Sequence, residues 1–393
     1  MIRVAALTAG AAAPSARFRV RQHVPPLRES GIDVREHVPA VGRYEPIPAW
    51  PEGWRSVYAP HFAPWQMVKL AARVPGIAGS WRSDITWLQR TFLPHTLSLE
   101  WLLRRPLVFD VDDAIWTTGT VARAAAVSLG RRARTVIAGN AYIAEWFAAF
   151  CDDVRVIPTG VDTDRFLPSP PREAPGRRGR FTIGWTGTAS NLVFLEAIED
   201  DLATFFHRHP DAELLVVADR PPRFQRLGPP QVRFLRWSPE VEAEALASID
   251  VGIMPLPDNR WTRGKCSYKM LQYMACAKPV VASPVGMNAE LFARGSIGLP
   301  ADGPGAWTKA LEHFRDREIG AACGAVGREV VERDFSRRVV SRSLAGVFRD
   351  LAGVGPPEEP APAGGRRAAG TTRDLAAVCP AEDGGGGAAP RLP

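Results

Sequence analysis

Short runs rich in valine, isoleucine and leucine alternate with stretches of helical periodicity along most of the chain. The first series of runs covers residues 2–7, 32–38, 85–88, 107–111, 135–138 and 154–157. Apolar runs of strand length, spaced widely enough for crossover helices, predict a parallel sheet with helices on both faces. A second series, residues 181–185, 213–217, 232–235, 251–254 and 279–282, repeats the pattern, with more helices from Ala306 onward. Between the two series, residues 167–180 carry Pro168, Pro170, Pro171, Pro175 and four arginines, which excludes a regular element and predicts a linker. Residues 336–352 have the spacing of one amphipathic helix bearing Arg337, Arg338, Arg342 and Arg349, which either packs on a domain or meets an anionic surface. Beyond it the composition turns to proline, glycine and alanine, so residues 353–393 are expected to be a disordered tail. The predicted organisation is therefore an N-terminal α/β domain (1–166), a linker (167–180), a second α/β domain (181–335), a terminal helix (336–352) and a tail.

Composition narrows the class. The chain has 393 residues, 46% hydrophobic and 23% charged, which suits two globular domains and neither a disordered nor a membrane-embedded chain. Its longest apolar runs, such as residues 146–151 and 214–218, fall far short of a membrane span of roughly 20 residues. The start of the chain reads as a strand and lacks the apolar core of a secretory signal. Five cysteines without a C-x-x-C pair suggest neither a disulfide framework nor a zinc site, and a reducing cytoplasm fits best. The formal charge of +7 suits an anionic ligand, an anionic membrane surface or nucleic acid without choosing among them. No basic and aromatic groove pattern supports the nucleic acid. Only five of the 49 basic residues are lysines, and three of those fall between positions 265 and 278.

That window, WTRGKCSYKMLQYMACAKPVVASPVGMNAE from Trp261 to Glu290, holds the most chemistry. Read as a helix starting after Gly264, it places Lys265, Lys269, Gln272 and Cys276 on one stripe and Met270, Leu271 and Met274 on the opposite one. Unpaired N–H groups at a helix start favour an anion, so Lys265 and Lys269 there predict a seat for a diphosphate, with Gln272 one turn further near ribose hydroxyls. A solvated basic face is the plainer alternative.

KCSYKMLQYMACAKPVVASPVG resembles the donor-binding segment of retaining glycosyltransferases of family four, which have the GT-B fold. Two further stretches are similar to that family: VIPTGVDTDRF at 156–166, where the N-terminal domain hands over to the linker, and GWTGT at 184–188, the glycine-rich loop after the first strand of the second domain. The resemblance implies two Rossmann-like domains facing a cleft, a nucleotide sugar such as a UDP- or GDP-sugar bound by the second domain, and retention of configuration. It implies donor contacts by Gly184, Thr186, Gly187, Thr188, Trp237, Arg263, Gly264, Gln272 and Gly286. The chain departs from the family at two points. Gln272 and Gly264 stand where the family carries two glutamates, leaving Asp258 or Glu290 for the sugar contact, and the family's Arg and Lys after the first strand of the second domain are absent, leaving the diphosphate to Arg263, Lys265 and Lys269.

In the first domain, Ser15, Arg17 and Arg19 follow the first strand and Arg90 ends the third, at the sheet edge where open α/β folds bind ligands. They are acceptor-side candidates, against the plainer reading of exposed arginines. Asp110, Asp112 and Asp113 end the next strand. Mutual repulsion among them would raise pKa values and make Asp113 a candidate base, with Asp110 and Asp112 as acceptor-hydroxyl binders. An Asp-x-Asp metal pair is the weaker alternative, since the fold that uses it has one domain. Neither a Walker loop nor a Gly-x-Gly-x-x-Gly turn is present.

The expected function is a GT-B glycosyltransferase, metal-independent and without a cofactor, with Lys265, Lys269 and Asp113 carrying the chemistry. The acceptor would be a glycan, a lipid-linked glycan or a small molecule in polysaccharide, glycolipid or natural-product biosynthesis. Its setting would be the cytoplasm, with peripheral contact at the inner membrane face as an option. The competing class is a non-catalytic protein of the same scaffold that binds a nucleotide sugar.

Overall fold

The computed structural model describes residues 1–47, 63–168 and 180–355. Most of the linker, 169–179, and most of the tail, 356–393, lie outside the described residues. Six parallel strands form the first sheet: β1 (Ile2–Leu7), β2 (Ile32–His37), β3 (Ile85–Gln89), β4 (Leu107–Val111), β5 (Thr135–Ala138) and β6 (Val154–Val156), in the order β2-β1-β3-β4-β5-β6. Strands β3 and β4 are buried at every position, which is why they read as unbroken apolar runs. The chain leaves β1 toward β2 on one side and returns to β3 on the other. A crevice therefore opens at the C-terminal ends of β1 and β3.

The second sheet contains β7 (Phe181–Thr186), β8 (Ala212–Ala218), β9 (Val232–Arg236), β10 (Val251–Met254), β11 (Val280–Ala282) and β12 (Gly298–Pro300), in the order β12-β11-β10-β7-β8-β9. Its order reverses between β10 and β7, and the equivalent crevice lies at the ends of those strands. Strand β12 adds to the five expected. It is three residues long and holds a glycine and a proline, so no apolar run marks it.

The terminal helix Arg337–Ala352 crosses back to the first sheet. Val340, Leu344 and Phe348 pack against Val4, Trp87 and Val108, with Phe348 edge-on to Trp87 at 5.3 Å. Its apolar face is thus consumed by the protein's own core. Ser336 caps its first turn, and Arg337 pairs with Asp162 at 2.8 Å, fixing the segment that follows β6. No helix among the described residues is long and apolar enough to cross a membrane.

Candidate functional site

At the crevice of the second sheet, β7 ends in Trp185 and Thr186, followed by Gly187. The Thr186 N–H donates to the Tyr273 hydroxyl at 3.1 Å, tying the strand end to the helix Tyr268–Ala275. A Cβ on Gly187 would stand 2.7 Å from the Trp185 ring and 2.8 Å from Lys269 Cε. Glycine is therefore what lets the Lys269 side chain lie along this turn. The Lys269 ammonium sits 5.6 Å from the centre of the Trp185 ring, and among the described residues no hydrogen bond or ion pair reaches it. Burial, reinforced by the neighbouring charge of Lys265, pushes its pKa down to about 8. A desolvated cation near a helix start, at a sheet's switch point, is poised for an anion.

Lys265 is not on the same stripe. The helix begins at Tyr268, three residues later than its periodicity suggests, because Lys265 is extended and Ser267 takes a left-handed conformation with φ of 49°. Lys265 instead reaches the first domain, where its ammonium lies 3.1 Å from Asp113 Oδ1 and 4.6 Å from the centre of the Trp261 ring. Arg90 forks between Asp112, at 2.8 Å, and Asp113. Burial raises the Asp113 carboxyl, but Lys265 and Arg90 outweigh it and hold the group below its ordinary value. The expectation of Asp113 as a base through carboxylate repulsion is corrected here: two cations intervene, and the carboxylate is an anchor between the domains.

The two domains meet closely around this pair. A Cβ on Gly264 would lie 2.5 Å from Ala114 Cβ and 2.7 Å from its backbone nitrogen, so a side chain at 264 has no room. The Asn140 amide donates to the Lys265 carbonyl at 3.1 Å, and the Cys266 thiol donates to the Asp112 carbonyl at 3.1 Å. Gly264 is thus a contact point between domains.

Several other expected site residues are committed elsewhere. Asp110 and Arg19, 0% and 3% exposed, form a buried pair at 2.9 Å. Burial raises the Asp110 carboxyl against the pull of Arg19, and neither side chain is open to an acceptor. With Asp110 tied to Arg19 and Asp112 to Arg90, the Asp-x-Asp residues do not converge as a metal pair. Gly184 lies inside the second sheet against Ile249. Asp258 and Arg263 satisfy one another at 2.6 and 2.8 Å on an exposed loop. Glu290 is exposed on the helix Met287–Phe292, and Gly286, at φ of 54°, abuts the Arg263 carbonyl. The Thr188 hydroxyl meets that of Ser190 at 3.0 Å, and Ser15 is half-buried in the helix Pro14–Arg19.

Gln272 and Cys276 are interior, 2% and 1% exposed, rather than on a polar stripe. The Gln272 amide donates at 3.0 Å to Glu242, a buried carboxylate on the helix Pro239–Ala247. Arg17 reaches the same carboxylate from the first domain at 3.2 Å, and Arg165 reaches it at 3.4 Å. The Arg17 guanidinium also stacks 4.9 Å over Trp237, while Phe18 meets Tyr268 with ring centres 3.9 Å apart. The contacts of Glu242, Arg165, Tyr268 and Tyr273 were not legible in the sequence. An acidic residue in a first helical turn reads as ordinary macrodipole complement, and nothing local ties Glu242 to residues 225 positions away.

Residues 180–316 match the family described as Glycosyl transferases group 1. The D-inositol 3-phosphate glycosyltransferase of Corynebacterium jeikeium (strain K411) is 27% identical over 235 residues, covering 54% of this chain and 55% of that protein. The corresponding protein of Corynebacterium urealyticum (strain ATCC 43042 / DSM 7109) is 26% identical over 239 residues, with the same shares of each chain. The chain thus spans about half the length of the curated relatives it matches. Among solved structures, a sucrose-phosphate synthase from Thermosynechococcus elongatus superposes with a TM-score of 0.67 at 14% identity, covering 90% of this chain and all of that one. Anabaena Alr3699/HepE in complex with UDP and glucose gives 0.63 at 17% identity, covering 89% of this chain and 100% of that one. The two-domain α/β arrangement is the GT-B fold, and together the matches support a glycosyltransferase.

Proposed function

We propose that this protein is a metal-independent glycosyltransferase that moves a sugar, with retention, from a nucleoside diphosphate sugar such as a UDP- or GDP-sugar to an acceptor hydroxyl. The observation that carries the reading is Lys269: a half-buried ammonium, without a hydrogen-bond or ion-pair partner among the described residues, beside Gly187 at the switch point of the domain that matches Glycosyl transferases group 1. The Anabaena neighbour with UDP and glucose supports a nucleotide sugar as donor.

In the reaction, the bond from the anomeric carbon to the diphosphate breaks and a bond to the acceptor oxygen forms. The acceptor's proton leaves with the diphosphate. Lys269 and the N–H groups at the head of the helix Tyr268–Ala275 would stabilise the charge growing on the leaving group. Trp237 would flank the nucleobase, and the first domain would present the acceptor across the cleft. The Lys265–Asp113 bridge would hold the domains together and keep water from the donor. Among the described residues, Cys151, Cys266 and Cys276 are buried and outside any disulfide, which fits a cytoplasmic setting. The product would enter a polysaccharide, a glycolipid or a natural product, and any membrane contact would be peripheral.

The closed contact at Gly264 favours a second reading, a nucleotide-sugar-binding protein without turnover, because no carboxylate there can approach the sugar. Incubation with UDP-glucose and GDP-mannose, together with a panel of acceptors, separates the two. Release of nucleoside diphosphate that accelerates with an acceptor is the expected result. Saturable binding of the nucleotide sugar without release by any acceptor would favour the second reading.

A further inference from the structure

One side chain of the first domain reaches the second domain's side of the cleft and has no part in the donor reading. Arg17 stands on the helix Pro14–Arg19, which follows β1, and crosses to the helix Pro239–Ala247, where it donates to Glu242 at 3.2 Å. Its guanidinium lies 4.9 Å from the centre of the Trp237 ring and 4.3 Å from that of Phe18. The Arg17 side chain keeps 22% of its surface exposed, and that of Glu242 keeps 4%. Glu242 has two further partners, Gln272 at 3.0 Å and Arg165 at 3.4 Å. Arg165 also donates to the carbonyl of Pro239, at the head of the same helix.

A nucleoside in this crevice needs the same contacts. Its base stacks on an aromatic face, and its ribose hydroxyls donate to a carboxylate. Arg17 makes both kinds of contact with one flat, donor-rich group, covering the Trp237 ring and bonding to Glu242. Gln272, which the resemblance sets beside the ribose, holds that same carboxylate. A guanidinium and a nucleoside cannot share one ring face and one carboxylate edge, so the presence of either excludes the other. Arg17 can also leave at modest cost. Its ion pair is partly open to solvent, where such pairs are weak. Glu242 stays paired with Gln272 and Arg165, so no buried charge is stranded. Phe18 on Tyr268, with ring centres 3.9 Å apart, and Lys265 on Asp113, at 3.1 Å, keep the domains joined. The long side chain can therefore change rotamer while the fold around it stands.

We propose that Arg17 is a displaceable plug in the donor site: in the free protein it holds the places on Trp237 and Glu242 that the nucleoside of the donor takes, and the nucleotide turns it out on binding. The proposal rests on the donor reading, since Trp237 flanks the base only if the nucleotide lies in the second crevice. The sign of its effect sets a plug apart from a plain electrostatic role. Removing a cation weakens an anionic ligand through lost Coulomb attraction. Removing a plug tightens the ligand, because the free protein no longer occupies a state that cannot bind.

Isothermal titration of the full chain with UDP, GDP and inorganic pyrophosphate as separate probes tests this. Arg17→Ala should bind the tighter of UDP and GDP better than wild type does, by about fivefold or more. Pyrophosphate, which has no nucleoside, should bind the variant no more tightly than wild type. Arg165→Met takes a cation from Glu242 but leaves Trp237 covered, so it should not tighten the nucleotide. Should Arg17→Ala fail to fold, Arg17→Gln, with a shorter and uncharged side chain, carries the same expectation. Nucleotide affinity that is unchanged or weaker in the Arg17 variant, with wild type still binding, overturns the plug and leaves the donor reading standing. Equal tightening in Arg165→Met, or of pyrophosphate, also overturns the plug, since the gain would then come from charge and not from the place on Trp237. Wild type and Arg17→Ala both failing to bind UDP and GDP would overturn the donor reading, and the plug with it.

Discussion

Lys269 gives the sharpest handle on the donor site, because its ionisation in the ligand-free protein falls within reach of ordinary buffers. Its pKa is lowered from 10.5 to about 8, with burial as the main cause and Lys265 adding to it, against a smaller opposing pull from Asp113. About nine-tenths of the molecules carry the charge at pH 7 and about one-tenth at pH 9. A diphosphate against the ammonium would return the pKa to its ordinary range. If the full shift is recovered, UDP affinity should fall about tenfold between pH 7 and 9, and binding at pH 9 should take up about one proton. Isothermal titration in buffers of different ionisation enthalpy measures both quantities. Lys269→Met should bind UDP more weakly at pH 7, by up to about 3 kcal/mol, and should lose the pH dependence. The same shift has a consequence for folding. The folded state disfavours the ammonium, so the penalty is present below about pH 8 and disappears as pH rises toward 10.5. Wild type should therefore gain stability relative to Lys269→Met across that interval. A UDP affinity that is flat from pH 7 to 9, or an equal slope in Lys269→Met, would refute the reasoning.

Two further predictions concern the contact between the domains. Lys265→Met and Asp113→Asn should each lower stability, with a coupling of about 1–3 kcal/mol in a double-mutant cycle followed by urea unfolding. Because the Asp113 pKa is depressed, its contribution should be present above about pH 4 and lost as the pH falls through its folded value. Gly264→Ala would place a methyl 2.5 Å from Ala114 Cβ. It should cost about 1–3 kcal/mol and widen the particle in small-angle X-ray scattering, whereas an unchanged profile would count against the close contact.

The strands were legible because parallel sheets covered on both faces write themselves as continuous apolar runs. The exception, β12, is too short and too rich in glycine and proline to do so. The placement of Gly187 and Lys269 at the crevice of the second sheet was legible because a strand end and a helix start are marked by local spacing. The stripe containing Lys265 and Gln272 failed because Ser267 adopts a left-handed backbone, which periodicity does not report. The role of Asp113 failed for a different reason. Three neighbouring carboxylates read as mutual repulsion, but the cations that reverse the effect come from positions 23 and 152 residues away.

A crystal structure of the protein with UDP examines the central claim most directly. The account predicts the β-phosphate within hydrogen-bond distance of Lys269 Nζ, at the head of the helix Tyr268–Ala275, with Gly187 beside it. UDP bound away from the β7–β10 crevice, with the Lys269 ammonium still lying over Trp185, would contradict it.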